Sequence, residues 1–258
     1  MWTYPLALAA ISAAVALLER LVPARPSQPA LRQGLWSDVA YLVFNGHFLG
    51  VGLALLAAWT LDPLLGARFD LHLASGWPLW LQAVVATVLL DFAQWTIHNL
   101  LHRVPWLWEF HKVHHSVRDG EMDWIVSFRF HWVEVVVYKT LQYLPLALMG
   151  FAGEALMFHA VFGTLVGHLN HANLDWGHGW WRYVLNSPRM HLWHHDADAV
   201  HARNFGIIFS AWDWLFGTAH LPDHPPRRIG FVGQEAMPSD FFRRSLWPLL
   251  RISPGDPR

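Results

Sequence analysis

The chain contains no cysteine in 258 residues. Disulfides, thiolate-held iron–sulfur clusters and a cysteine nucleophile are therefore excluded, while the compartment stays open. Charge is also scarce: Asp, Glu, Lys and Arg make up 14% of the residues, and the formal net charge is -1 with histidine neutral. The basic residues are dispersed, so the sequence carries no electrostatic footprint for nucleic acid. No HExxH occurs, and no glutamate stands beside the first histidine of any cluster as a general base, which points away from a simple zinc protease. No linker, low-complexity tract or long repeat divides the chain.

What the chain has instead is apolar surface. Hydrophobic residues make up 54%, on the high side of a soluble domain's usual composition. Trp2 to Leu18 is uncharged until Glu19 and Arg20 stop it; at about 1.5 Å per helical residue it crosses most of a bilayer core. It lacks the basic start and small-residue cleavage site of a signal peptide and is read as retained. Val39 to Thr60, with Asn45 and His47 its only strongly polar members, is a second span, and Trp77 to Ile97, interrupted by Gln82, Asp91 and Gln94, a third. Trp132 to Gly150 and Glu154 to Gly167 flank "GFAG" and read as a membrane hairpin, with Lys139 inside its first arm. The expected fold class is all-α: a polytopic membrane helical bundle of about four to five membrane helices with a cytoplasmic histidine-rich helical cap. Within a single domain overall, residues 1–90 hold the N-terminal transmembrane helices, 91–218 the histidine-rich region including the hairpin at 132–167, and 219–258 a C-terminal cytoplasmic tail.

Arg20, Arg25 and Arg32 lie between the first two spans, whereas Arg68 stands against Asp62 and Asp70 between the second and third. The positive-inside rule puts the first link, and with it the segment from Asn99 to Phe130 and the chain after His168, in the cytoplasm. Arg227, Arg228, Arg243, Arg244, Arg251 and Arg258 agree with that side. The resulting expectation is an integral membrane protein with its histidine clusters on the cytoplasmic side.

Histidine is abundant: 18 residues, as many as Lys and Arg together. "HKVHH" at 111–115 returns as "HLWHH" at 191–195, and "HNLLH" precedes both at 98–102. Residues three or four apart share a helix face with Cβ atoms about 5 to 6 Å apart, close enough for two imidazoles to share one ion or two neighbouring ions. One histidine on an apolar helix is ordinarily a hydrogen-bonded core residue. Three such clusters at the ends of membrane helices, where ionisable groups mark function, point to metal. Imidazole suits Zn, Cu, Fe and Ni alike, and eight or more ligands point to two ions.

These boxes, in this order and spacing, with "RFHWVE" between and "NFGIIFSAWDWLFGT" after, closely resemble the fatty acid hydroxylase and sterol desaturase superfamily over about Asp91 to Thr218. The resemblance implies two iron ions held by histidines in a membrane enzyme that uses O2 to hydroxylate or desaturate a lipid or sterol-like substrate drawn from the bilayer. Carried over residue by residue, it makes His98, His102, His111, His114, His115, His191, His194 and His195 metal ligands. "GHLNHANLDWG" adds His171 and, with a second reading as an outer residue, His168. Asp91, His131, Glu134, Asn204 and Asp213 are candidates for orienting ligands from outside the first set, Asp91 and Asp213 by holding a ligand's second nitrogen. Trp132 replaces the usual proline after His131, Asn99 stands where arginine is common, and "HARNFG" lacks the usual aspartate. No HPGG haem box, nucleotide-binding glycine loop or cysteine cluster occurs, so electrons are expected from a separate reductase, ferredoxin or cytochrome. His47, His72, His159, His178, His201, His220 and His224 read as surface or interfacial residues, and Trp95, Trp106, Trp108, Trp124, Trp180 and Trp181 as an interfacial belt, some of which also wall a lipid cavity. Two other classes fit many imidazoles: a membrane zinc-dependent lipid hydrolase, and a His-rich metal-binding or transport protein, the latter requiring ligands strung along a transmembrane path.

Overall fold

The computed structural model describes residues 3–56, 59, 71–117, 121–198 and 203–251. Trp2, Thr60, Asp62, Arg68, Asp70, His201 and Arg258, all weighed above, lie outside the described residues. Helix α1, Thr3–Leu21, is rich in alanine and leucine, the strongest helix formers. The second expected span is helical from further upstream: α2, Leu35–Tyr41, runs through a π-helical stretch, Leu42–Leu49, into α3, Gly50–Leu56. Within the π stretch, a Cβ on Gly46 would stand 2.9 Å from both Leu8 Cδ2 and Phe128 Cε1, so only glycine lets α1 and the loop before the hairpin approach. Beside it, Asn45 donates to the Phe128 and Phe130 carbonyls at 2.9 Å each.

Helix α4, Leu79–Arg103, ends where Pro105 forces Val104 into an extended conformation (φ -97°, ψ 114°). The same proline opens helix α5, Pro105–His115, at a position where its missing N–H costs nothing. The hairpin forms as expected from α6, Trp132–Leu148, and α7, Gly153–His171, with Gly150 in the left-handed region (φ 78°) at the turn. Helix α7 runs past Gly167, so His168 and His171 sit on it one turn apart. Three shorter α-helices follow among the described residues: α8, Pro188–His194; α9, Ala211–Phe216; and α10, Phe241–Arg251. Among the described residues no strand forms, and Asp196 and Ile229 make one isolated bridge.

Ala86 and Leu90 of α4 pack with Leu146 and Phe151 of the hairpin, and Val15 of α1 with Ala172 and Leu174 beyond α7. Two described helices are long and apolar enough to cross a membrane, Tyr4–Leu21 and Leu79–Arg103, and only 22% and 33% of their apolar windows are buried. An interior helix of a soluble protein is mostly covered; here Leu6, Leu17, Trp80 and Val84 present apolar side chains outward.

Four buried charged side chains form one network: Arg32, Asp38, Asp123 and Arg129. Arg32 grips Asp123 with two donors at 2.8 and 2.7 Å and reaches Asp38 at 2.5 Å, while Arg129 bonds the same Asp38 at 2.5 and 2.6 Å and also the Ser116 carbonyl. Burial alone would raise the Asp38 carboxyl, but the two guanidiniums outweigh it and hold the group below its ordinary value. The network ties α2 to the segment that leaves α5, which fixes where the first pentad ends.

Candidate metal centre

The turn at Val104–Pro105 folds α5 back on α4, so His98 and His102 meet His111, His114 and His115. The end of α7 brings His171, and α8, capped by Ser187 accepting from Met190 N–H at 3.3 Å, brings His191, His194 and His195. These nine imidazoles form two groups whose nitrogens lie within 4.8 Å of one another: His98, His102, His111, His115 and His194 in one, His114, His171, His191 and His195 in the other. Each pentad is split between them. The first gives its first and last histidines to the five-membered group and its fourth to the other; the second pentad does the reverse.

Four outward nitrogens are held by protein partners, whereas His114 Nδ1 and His191 Nδ1 are buried without one. His98 Nδ1 donates to the Phe205 carbonyl (2.8 Å), His194 Nδ1 to the Arg203 carbonyl (2.7 Å) and His171 Nδ1 to the Gly167 carbonyl (2.8 Å). His111 Nδ1 bonds Glu134 Oε1 at 2.9 Å. Such partners fix the tautomer that turns Nε2 inward. Burial, reinforced by neighbouring imidazoles, holds His111, His114, His115, His191, His194 and His195 well below the ordinary histidine pKa, which leaves them neutral, the form that binds metal.

The inward nitrogens show what the cage fits. His98 Nε2 and His111 Nε2 are 3.1 Å apart. A carbonyl oxygen can only accept, so His98 carries its proton on Nδ1 and turns its Nε2 lone pair into the cage. His102 Nε2, His115 Nε2, His194 Nε2 and both nitrogens of His195 are buried without any partner. Buried nitrogens left without a partner are costly unless a cation lies among them. The residues present thus fit bound metal, with nitrogen donors only in both groups.

The remaining expected residues take other roles. His168 is not in the cage: its Nε2 lies 3.0 Å from Ser12 Oγ and its Nδ1 2.7 Å from Ser127 Oγ, so both nitrogens are taken by hydroxyls of α1 and the loop before the hairpin. Asp91 does not touch a ligand; it accepts from the Ile208 and Phe209 amides and the Trp212 indole at 2.9 to 3.0 Å. Asp213 likewise meets no histidine. It accepts from the Phe205 and Gly206 amides, Trp95 Nε1 and Thr218 Oγ1, and thereby holds the loop whose Phe205 carbonyl orients His98. Burial pushes the Asp213 carboxyl up despite these donors. Asn204, with φ at 55°, pins the same loop to the Met190 and His220 carbonyls, both at 2.8 Å. His131 caps α6 by accepting from Val133 N–H and bonds the Ser245 carbonyl at 2.7 Å. Of the five outer candidates, only Glu134 touches a cage histidine through its side chain.

Several expectations about isolated residues change as well. His159 is buried beside Tyr143 rather than exposed. Trp95 is buried on Asp213, and Trp108 packs on His102 and His115 with ring centroids 4.8 and 5.1 Å away, so neither belongs to a belt, whereas Trp106, Trp180 and Trp181 are exposed. Phe130, not singled out in the sequence, stacks on His114 at 4.4 Å and 5°. The orienting carbonyls had no sequence signal, because every residue carries one. Arg129 did have a signal: in so uncharged a chain, an arginine beside a histidine box invites a search for its buried partner.

Nine histidines caged at the helix ends of an all-helical protein are a cluster able to hold metal. The fatty acid hydroxylase family model matches residues 83–218, and the chain belongs to that family. An ornithine lipid hydroxylase of Rhizobium tropici is 28% identical over 87% of this chain and 69% of its own length. A cholesterol 25-hydroxylase-like protein 2 of Danio rerio is 28% identical over 72% and 67%. The alkylglycerol monooxygenase of Homo sapiens is 27% identical over 58% of this chain and 32% of its own length. No solved structure matches the chain.

Proposed function

We propose that this protein is a membrane-embedded lipid hydroxylase whose two histidine groups hold a pair of iron ions. The observation that carries the reading is the split cage: two sets of imidazoles, all buried except half-buried His102, in which nitrogens of His102, His115, His194 and His195 find no partner in the protein, in a chain of the fatty acid hydroxylase family. When bound, the iron pair supplies O2 activation for insertion of one oxygen atom into an unactivated C–H bond. The balance requires two electrons and two protons beside O2 and yields the alcohol and water, so a reductase, ferredoxin or cytochrome must deliver the electrons.

The chain's own groups position and exclude. Carbonyls of Gly167, Arg203 and Phe205 and the Glu134 carboxylate fix four of the imidazoles. Phe130, Phe205 and Trp108 pack against the cage histidines and keep water out. Glu134 Oε2 is buried without a partner, one atom from the bond to His111, and is the group placed to hold a proton at the edge of the cage.

The membrane assignment rests on the outward apolar faces of α1 and α4, with α2–α3 and the hairpin completing about four to five spans. Arg20 in the last turn of α1, with Arg25 and Arg32 after it, favours a cytoplasmic cage. A lipid reaches the site sideways from the bilayer; relatives named as hydroxylases of ornithine lipid, a sterol and alkylglycerol support an acyl or sterol-like substrate. Ligands gathered at one end of the helices, rather than strung across them, disfavour metal transport. Nitrogen-only donors also suit zinc, so the decisive experiment joins metal analysis of anaerobically purified protein with lipidomics of a deletion strain complemented by wild type or His114→Ala. Iron in the protein and a hydroxylated lipid restored by wild type alone are expected; zinc with ester hydrolysis, or the same lipid restored by both, overturns the reading.

A further inference from the structure

Helix α10 has three faces. At about 100° per residue, Phe241, Arg244, Ser245 and Pro248 share one side, and it is this side that meets the protein: Arg244 and Pro248 are buried, and Phe241 packs edge-on against Tyr41 and Phe44 with ring centroids 4.7 and 5.5 Å away. The adjoining side carries Phe242, Leu246, Leu249 and Leu250, exposed by 76, 55, 45 and 83%. The third carries Arg243, whose side chain is 82% exposed, and Arg251, whose guanidinium lies 4.1 Å over the Trp247 ring. A helix docked by one side needs no apolar stripe and basic edge on the others.

Its anchor points set its level. Tyr41 and Phe44 stand where the second apolar segment begins, and the Ser245 carbonyl bonds His131, the residue that caps the first arm of the hairpin. Both contacts lie at the mouth of segments read as membrane spans, so α10 runs along the level at which the chain enters the bilayer. Leucine and phenylalanine toward acyl chains, with tryptophan and arginine at the rim, is the pattern of a helix lying in the interface plane.

We infer that α10 docks into the cytoplasmic leaflet of the same bilayer, its leucine–phenylalanine side among the acyl chains and Arg243 and Arg251 on anionic headgroups. The inference rests on the membrane reading above. It also gives the leaflet a mechanical link to the cage, since the helix capped by His131 carries Glu134 in its first turn.

The cysteine-free chain provides a clean background for single labels. The full-length protein, carrying Leu246→Cys, Leu250→Cys, Val84→Cys or Glu235→Cys with an environment-sensitive fluorophore, is reconstituted in phosphatidylcholine–phosphatidylglycerol vesicles containing brominated lipid. Labels at 246 and 250 are expected to be quenched at least about twofold by brominated chains, as at Val84 on α4, while Glu235 is quenched by aqueous iodide instead. Brominated phosphatidylglycerol should quench position 246 more than brominated phosphatidylcholine, a preference lost in the Arg243→Gln, Arg251→Gln background. Quenching at 84 without quenching at 246 and 250 overturns the inference and leaves the membrane reading intact; absence at all three removes both. Equal quenching by the two headgroups removes the anionic contact, and efficient cross-linking of two copies through residue 250 assigns the face to a second copy instead.

Discussion

His114 and His115 are neighbours in the chain yet belong to different halves of the cage, their rings 5.5 Å apart and at 87° to each other. His114 stands with His171, His191 and His195; His115 stands with the five-membered group. Removing either should therefore act locally. His114→Ala leaves three ligands in its half and is expected to lower bound metal from about two ions to about one, whereas His115→Ala leaves four and retains more, as counted by elemental analysis. Equal loss from both variants would mean the halves are not separate sites.

Glu134 orients His111 without entering the cage. Glu134→Ala should weaken metal binding by about 10- to 100-fold in chelator competition, with Glu134→Gln milder because its carbonyl still accepts from Nδ1. An unchanged affinity in the alanine variant would assign Glu134 to packing alone.

His168 and His171 lie one turn apart on α7 and separate cleanly in the structure. His171→Ala is expected to lose metal. His168→Ala should keep its full metal content while losing about 1–3 kcal/mol of stability, because Ser12 and Ser127 lose their buried partner. Metal loss in His168→Ala would return that residue to the ligand set.

Asp38 is the shared carboxylate of two buried guanidiniums. Asp38→Ala leaves Arg129 without a carboxylate and Arg32 with Asp123 alone, and should cost about 3–5 kcal/mol, read as a drop in melting temperature of detergent-solubilised protein. Because Arg129 also holds the Ser116 carbonyl at the end of α5, the first pentad should lose metal in parallel. A melting temperature equal to wild type would show that the network contributes little.

In metal-stripped protein the cage histidines outside the spanning helices are neutral when folded, because burial lowers their pKa values, and become protonated below about pH 6.5 when unfolded. The unfolded state then binds more protons. Stability is thus fully present above that pH and falls as the solution is acidified, by about 1.4 kcal/mol per pH unit for each such histidine. Thermal melts from pH 8 to pH 5 should show a plateau and then a steep decline. A flat profile down to pH 5 would contradict neutral, buried imidazoles.

Short-range periodicity in the sequence alone marked the long apolar helices and the histidines of the three boxes, whereas α9 and α10 carried no such signal and His171 came from the family resemblance. The spacings in "HNLLH", "HKVHH" and "HLWHH" put imidazoles on one helix side whatever the fold, and Pro105 marks the break between α4 and α5 by its own ring. Tertiary structure decided the rest. Which histidine joins which half depends on how α4, α5, α7 and α8 cross, so the splitting of each pentad is invisible in one dimension. His168 has the same sequence context as His171, and only the approach of Ser12 and Ser127 turns it away. The carbonyls of Arg203 and Phe205 and the roles of Asp91 and Asp213 depend on the path of one loop, because a backbone group becomes an orienting partner only when folding brings it within hydrogen-bond distance of a ring.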